Sequence, residues 1–484
     1  MVVVGSGPNG LAAALTMARA GLAVEVFEGA RTAGGGCRTE ELTLPGFTHD
    51  VCSAVHPLLA VSPFFRRVAA AGISLRTPEI AFAHPLDGGQ ALAVTRSVEG
   101  TARLLGPDGG AYERIFGPLV RDAEVIVPSV LRPLLRRQPH PVALARFGLR
   151  GLWPITVLAR QLRTVPGRAL LAGLAAHAIR PLSAPLTGAF GVLLGMLAHA
   201  VGWPIVEGGS GRIADALIEE LLAAGGQVHT GRWVTDLGEL PGCRVTLLDL
   251  TPRQLLDLAG HRLPARYRGA LGRFRYGPGI CKVDWALAGA VPWEAERCRR
   301  TATLHLGGSF EEIARSESEV AAGRHPDRPF CIVVQPCVLD PARAPAGHQT
   351  LYAYCHVPAG STFDMTARIE AQVERFAPGF RELVRSRTSA SASECERRNP
   401  NYVGGDINSG AATLRQTVFR PTVGLHPYRT PIRGLYLCSS STPPGGGVHG
   451  MCGEGAARAA LRDLQASSRS ARLAKREAYD RGGG

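Results

Sequence analysis

Val2-Val3-Val4-Gly5-Ser6-Gly7-Pro8-Asn9-Gly10 opens the chain, and the reading of these residues decides the fold. The valines read as a buried parallel strand. Gly5, Gly7 and Gly10 complete a G-x-G-x-x-G turn, and the Ala/Leu-rich run from Leu11 to Ala20 reads as the helix that follows. Gly21 ends that helix, and Leu22 to Phe27 forms a second strand that finishes at Glu28. Each piece has a physical job in holding a dinucleotide. Gly5 permits the tight turn, Gly7 lets backbone approach a pyrophosphate, and Gly10 lets helix and strand pack closely. Pro8 and Asn9 lie at the helix start, where unpaired N–H groups face phosphates. Glu28 can accept hydrogen bonds from a ribose. In a chain with 59 glycines such a turn alone is weak evidence; the order strand, turn, helix, strand, acid is what carries the reading. Gly208-Gly209-Ser210-Gly211 lacks the spacing, so one tightly held dinucleotide is expected.

At 484 residues the chain can bury a large core in two or three domains. Its net charge is +14, yet Lys282 and Lys475 are the only lysines. An arginine bias of that kind reflects a GC-rich genome more simply than a nucleic-acid site, and no helix-turn-helix, zinc-finger or aromatic-interleaved basic motif is present. The 11 cysteines are scattered, odd in number and without a C-x-x-C, which argues against a disulfide framework and a metal site. The first strand begins at Val2, so a reducing cytoplasm is the expectation.

Behind Glu28, Ala33-Gly34-Gly35-Gly36-Cys37-Arg38-Thr39 is a second glycine cluster with a cation and a hydroxyl behind it. Leu44 to Asp50 reads as a strand entering a turn, with His56 beyond it. From about residue 60 the pattern turns helical. Between Glu124 and Glu207 no Asp or Glu occurs, whereas nine Arg do, set among apolar runs too short to span a bilayer. Three arrangements suit that pattern: an interfacial surface against anionic lipid, a helical cap over an apolar substrate, or a helical domain docked on its own core with solvated arginines. The nucleotide-binding pattern resumes near residue 206, with a helix over 214–223, a strand at Gln227 to Thr230, Trp233-Val234 running outward, and a strand ending at Asp249. Thr251 then caps a helix with Pro at its first position. In the strand around Ile280 to Leu287, alternation puts Ile280, Lys282, Asp284 and Ala286 on one face, and Cys281, Val283, Trp285 and Leu287 on the other. At the far end, Gly434 to Cys438 is a buried strand, and Ser439 to Gly450 a glycine-rich turn opening a helix through Leu464. That turn aims free N–H groups and a positive dipole end outward.

The segments LPGFTHD, TPRQLL, YGPGICKVDWAL, RFAPGF, NPNYVGGD and CSSSTPPGGGVHGMCG resemble the phytoene-dehydrogenase-related oxidoreductases, within the superfamily of phytoene desaturases and amine oxidases that includes the pyridine-nucleotide-disulfide-oxidoreductase-domain group. The resemblance implies FAD as cofactor. It implies that Gly35 and Gly36 line the diphosphate and flavin with Arg38 and Thr39 behind, although the usual arginine position here is Gly36. It also implies that Val234 brackets the adenine, and that Ser439, Gly446, Gly447, Val448 and His449 meet the flavin, where the helix end stabilises the reduced ring. Lys282 would hold a water at flavin N5, with Asp284 as partner or base; an exposed-edge lysine is the plainer alternative. Lys282, Asp284 and His449 are thus the candidate catalytic residues. His49, His56, Tyr354, His356, Tyr402 and Gln416 are as easily structural as pocket-lining.

The fold expected is α/β: a Rossmann-like two-dinucleotide-motif FAD-binding domain made of 1–60, 206–260 and 426–464, a helical insertion over 61–205, a mixed-sheet substrate domain over 261–425, and a disordered tail over 465–484. The function expected is dehydrogenation or isomerisation of an apolar small molecule, such as a polyene or secondary metabolite, by hydride transfer to flavin N5. Dioxygen or a quinone would accept the electrons. Residues 125–206 are the candidate peripheral membrane contact of a cytoplasmic protein. The alternatives are a lipid carrier on the same fold without catalysis, and an amine oxidase.

Overall fold

The computed structural model describes residues 1–68 and 72–482. A five-stranded parallel sheet is gathered from three separated parts of the chain, in the order Leu435–Leu437, Thr246–Leu248, Val2–Val4, Glu25–Phe27, Gln227–His229. The register is regular: Val3 pairs with Leu247 on one side and Val26 on the other. Both faces of the central strand are covered, which is why Val2 to Val4 read as an unbroken apolar run. The helices Pro8–Ala18 and Met451–Gly482 cross on one face, where Ala13, Ala14, Ala456, Ala457 and Ala460 let them approach closely.

The second sheet is mixed and seven-stranded, in the order Val384–Ala390, Gly279–Leu287, Gln349–Val357, Cys331–Val334, Thr303–Leu306, Ile80–Leu86, Gln90–Thr95. One of its faces packs Cys281, Val283, Trp285 and Leu287 against Ile369, Val373, Phe376 and Phe380. The other face carries Ile280, Lys282 and Asp284, as the alternation predicts, together with Tyr352, Tyr354, Ile332, Val334, Thr303 and His305 on neighbouring strands.

Three expectations change. Residues 61–205 are not wholly helical, because Ile80–Leu86 and Gln90–Thr95 form a hairpin that completes the substrate-side sheet. Its signal was Asp87-Gly88-Gly89, a turn with both glycines at positive φ, between two alternating runs. The segment expected as a strand over 44–50 narrows to His49–Asp50. The stretch expected as a disordered tail is helical through Gly482, continuing the last helix with good helix formers. The helices of 98–200 pack on Phe82, Tyr112, Phe116, Leu170, Met196 and Trp203, docking the insertion on the mixed sheet. No helix among the described residues is long and apolar enough to cross a membrane, and all 11 cysteines are unpaired.

Candidate functional site

The carboxyl ends of the parallel strands point at a continuous cavity of about 780 Å³, whose wall includes both Gly7 and Gly447. The two glycine turns from opposite ends of the chain therefore face one cleft. Asn9 ties them directly, its Nδ2 donating to Ser440 Oγ at 3.2 Å.

At one end Glu28, Gly29, Trp233 and Val234 line the wall. Glu28 Oε2 accepts from the Ser6 amide at 2.9 Å and the Ser6 hydroxyl at 2.6 Å, which fixes the carboxylate at the strand end where a ribose would lie. In the middle, Gly5, Gly7, Pro8, Asn9, Gly35, Gly36, Arg38 and Ser439 line it. Here the glycines are required by contact: a Cβ on Gly35 would lie 2.9 Å from Gly7 Cα, and one on Gly36 only 2.2 Å from Tyr402 Oη. The tyrosine explains why glycine occupies the position where an arginine was expected. Arg38 reaches back to line the wall, its Nε donating to Gly35 O at 3.1 Å. Asn9 Oδ1 and Asn401 Oδ1 are buried on this wall without a hydrogen-bond partner among the described residues. Buried acceptors of that kind call for a donor, and a cleft lined by close-approach glycines fits an extended dinucleotide.

Some residues expected at the cofactor lie behind the wall. Gly10 packs as predicted, a Cβ there falling 2.1 Å from Gly5 O. Thr39 is used structurally, donating to Asp50 Oδ1 at 2.9 Å and accepting from the Gly211 amide at 3.0 Å. Gly446 packs on Asn408, while Gly447 and Val448 form the wall.

The expected catalytic residues are also behind it. His449 is fully buried; its Nε2 meets Gly445 O at 3.1 Å and its Nδ1 accepts from the Met451 amide at 3.1 Å. Burial pushes its pKa down to about 4, and both ring nitrogens are engaged with backbone at the helix start. Lys282 is 4% exposed, donates to both carboxylate oxygens of Asp284, and lies 4.4 Å from the Tyr352 ring centroid. Tyr352 lines the cavity and Lys282 does not. His49 Nδ1 stands 3.6 Å from Asp284 Oδ1, its pKa lowered to about 3 by burial and by Lys282, and the buried Arg343–Asp50 ion pair at 2.9 Å joins the sheet to the nucleotide-binding unit. Burial raises the Asp284 pKa, against the pull of Lys282. The pair is a buried clamp, and removing one partner would strand the other charge.

Sequence reading missed Asp249. Its Oδ2 accepts from the Gly10 amide at 3.0 Å, and it lies against both Gly5 and Gly7. Burial raises its pKa to about 7. The signal was an acid at the carboxyl end of a buried parallel strand, where ligands of such sheets bind. Of the residues read as structural or pocket-lining, His56, Tyr354 and Tyr402 are on the wall, whereas Cys52, Tyr352, His177 and Trp203, also on it, come from segments whose approach only the tertiary fold reveals.

Residues 3–68 match the family described as NAD(P)-binding Rossmann-like domain. Along its length the chain is similar to pyridine nucleotide-disulfide oxidoreductase domain-containing protein 2 of Rattus norvegicus, 26% identical with 96% of this chain and 93% of that protein covered. Over 30% of this chain and 28% of that protein it is 31% identical to an all-trans-zeta-carotene desaturase of Myxococcus xanthus. Among solved structures, an oxidoreductase from Methanosarcina mazei superposes with a TM-score of 0.62 at 17% identity, covering 96% of this chain and 99% of that one. Putrescine oxidase bound to putrescine does so with a TM-score of 0.60 at 16% identity, covering 96% and 98%. The structural likenesses show the fold, and the resemblance read from the motifs is borne out.

Proposed function

We propose that this relative of the desaturase and amine-oxidase flavoproteins is an FAD-dependent oxidoreductase that dehydrogenates or isomerises an apolar small molecule. The observation that carries the reading is the single cavity walled by Gly7 and Gly447, which continues past the glycine turns into a chamber of Leu194, Trp203, Ile280, Ile332 and Val334. When bound, FAD would supply a two-electron acceptor for a hydride leaving a substrate C–H bond, and the electrons would pass on to dioxygen or a quinone. The chain's own residues orient both molecules: Glu28 at the ribose, the glycine cradle and Arg38 at the diphosphate, Gly447 and Val448 at the flavin, and apolar side chains around the substrate. The apolar chamber also excludes water from the reacting atoms.

A neutral substrate is favoured over an amine because the carboxylates on the wall, Glu28, Asp249 and Asp257, are grouped with the nucleotide-binding segments, and none lies among the chamber residues. A non-catalytic carrier has no use for the close-approach glycines. The reading is tested by anaerobic mixing of the FAD-loaded protein with a broad apolar panel: bleaching of the flavin band is expected with at least one member. No bleaching across the panel contradicts it, and a colourless protein that takes up no FAD favours the carrier.

Access to such a substrate is proposed from an anionic bilayer. On Pro141–Gly151 and just beyond it, Val142 and Leu149 are each 72% exposed and Trp153 57% exposed. Arg160 and Arg163, both exposed, follow Trp153 in the sequence, in the stretch without a single acid. Apolar side chains projecting among arginines complement an anionic headgroup layer. In co-sedimentation, phosphatidylglycerol vesicles are expected to retain the protein and phosphatidylcholine vesicles to release it. Leu149→Asp with Trp153→Asp should weaken retention about tenfold or more. Equal behaviour on both lipids, or retention untouched by the substitutions, rejects the contact.

A further inference from the structure

The chamber end between the insertion and the mixed sheet has a polar feature that the reading above does not use. Thr303 and His305 project from the same face of one strand. Thr303 lines the cavity, is 1% exposed, and its hydroxyl has no hydrogen-bond partner among the described residues. His305, fully buried, meets His177 Nε2 to Nε2 at 3.0 Å, and His177 lines the cavity beside Trp203.

The proton inventory of the two rings gives the pair a direction. His305 Nδ1 is buried without a partner. A bare lone pair is cheaper to leave so than an N–H, which puts the His305 proton on Nε2, donating to His177 Nε2. His177 then carries its own proton on Nδ1, for which no acceptor is found among the described residues. Burial holds both imidazoles neutral, His177 with its pKa lowered to about 3. Glu317, on a neighbouring helix, is occupied by His356 at 2.8 Å.

We propose that Thr303 and His177 form a neutral oxygen-recognition site at this end of the cavity, binding a carbonyl or hydroxyl group on an otherwise apolar substrate. The inference rests on the chamber being the substrate chamber of the flavoprotein. It deepens that reading by selecting an oxygenated molecule over a hydrocarbon. With no Lys, Arg, Asp or Glu among the described residues lining this end of the cavity, the site gives no advantage to a carboxylate, a phosphate or an amine. His305 is a positioning residue, fixing the tautomer of His177.

The test titrates the FAD-loaded protein with menthone, menthol and menthane, which share one carbon skeleton, read by tryptophan fluorescence and by the flavin band. Menthone and menthol are expected to bind about tenfold more tightly than menthane. Thr303→Val, nearly isosteric, and His177→Phe should each remove most of that preference while leaving menthane affinity unchanged, and Thr303→Ser should keep it. Retention of bound FAD shows that the variants are folded. No preference in the wild-type protein, whether from equal binding or from none, overturns the proposal; so do variants that weaken all three probes alike. A wild-type protein that reduces its flavin on the apolar panel yet shows no preference among the three probes sinks this site alone. Absence of FAD uptake sinks the flavoprotein reading, and fluorescence still reports on the chamber.

Discussion

Gly453→Ala is expected to weaken FAD binding about a hundredfold and to cost about 3 kcal/mol of stability. A Cβ on Gly453 would fall 1.8 Å from Asn9 O and 2.9 Å from Ala13 N, backbone atoms that no rotamer change can move aside. Relief requires the first and last helices to separate. Asn9 would then leave Ser440, and the two glycine turns would open relative to each other. The effect falls on the cofactor although Gly453 itself does not line the cavity. Gly272→Ala, where a Cβ meets nothing within 4 Å, is the control and should be neutral. FAD titration and thermal melts of both variants check the prediction. Wild-type affinity in Gly453→Ala would show that the crossing does not position the cofactor.

Asp249 gives the second large effect. Its pKa rises in the folded protein from 3.8 to about 7, so the native state still holds a proton over a range where the unfolded chain has already released it. The sign follows from linkage. The stabilising contribution is complete below the unfolded value and is lost as pH rises towards the folded one, amounting to roughly 4 kcal/mol across that window. Asp249→Asn keeps an acceptor for the Gly10 amide and cannot ionise. It is expected to flatten the dependence of stability on pH between 4 and 7 and to leave the protein more stable at pH 8. The same proton matters to the cofactor, because ionised Asp249 beside Gly7 would face a diphosphate. Wild-type FAD affinity should fall about tenfold from pH 6 to pH 8, whereas Asp249→Asn should show no such fall. Titrations at the two pH values, with melts across the range, decide the matter. An unchanged pH profile in the variant assigns the effect elsewhere.

These two residues also mark where sequence reading stops. The strand–turn–helix at Val2 to Gly10, the acid at Glu28 and the turn at Gly445 to Gly447 were legible because each is local, with backbone demands that few residue types satisfy. The face of Lys282 and Asp284 was legible from alternation alone. Their partners were not. Tyr352 covers the lysine from a neighbouring strand, and Asp50 meets an arginine 293 positions away. The resemblance placed His449 at the flavin, but that its ring turns inward onto the Met451 amide was not legible in the sequence. Gly450, Gly453 and Ala457 repeat at helical spacing and could have announced a close crossing, but such spacing does not name the helix across from it. His177 and His305 meet from the insertion and the sheet, 128 positions apart, and no periodicity predicts such a pair.

The central claim is that both glycine turns enclose one FAD molecule, and flavin stoichiometry after reconstitution tests it most directly. The purified chain, incubated with FAD and passed through a desalting column, is predicted to retain one flavin per polypeptide, released unmodified on acid precipitation. A chain that emerges colourless, or that retains FAD equally well when Gly7 and Gly447 are each replaced by leucine, contradicts the account.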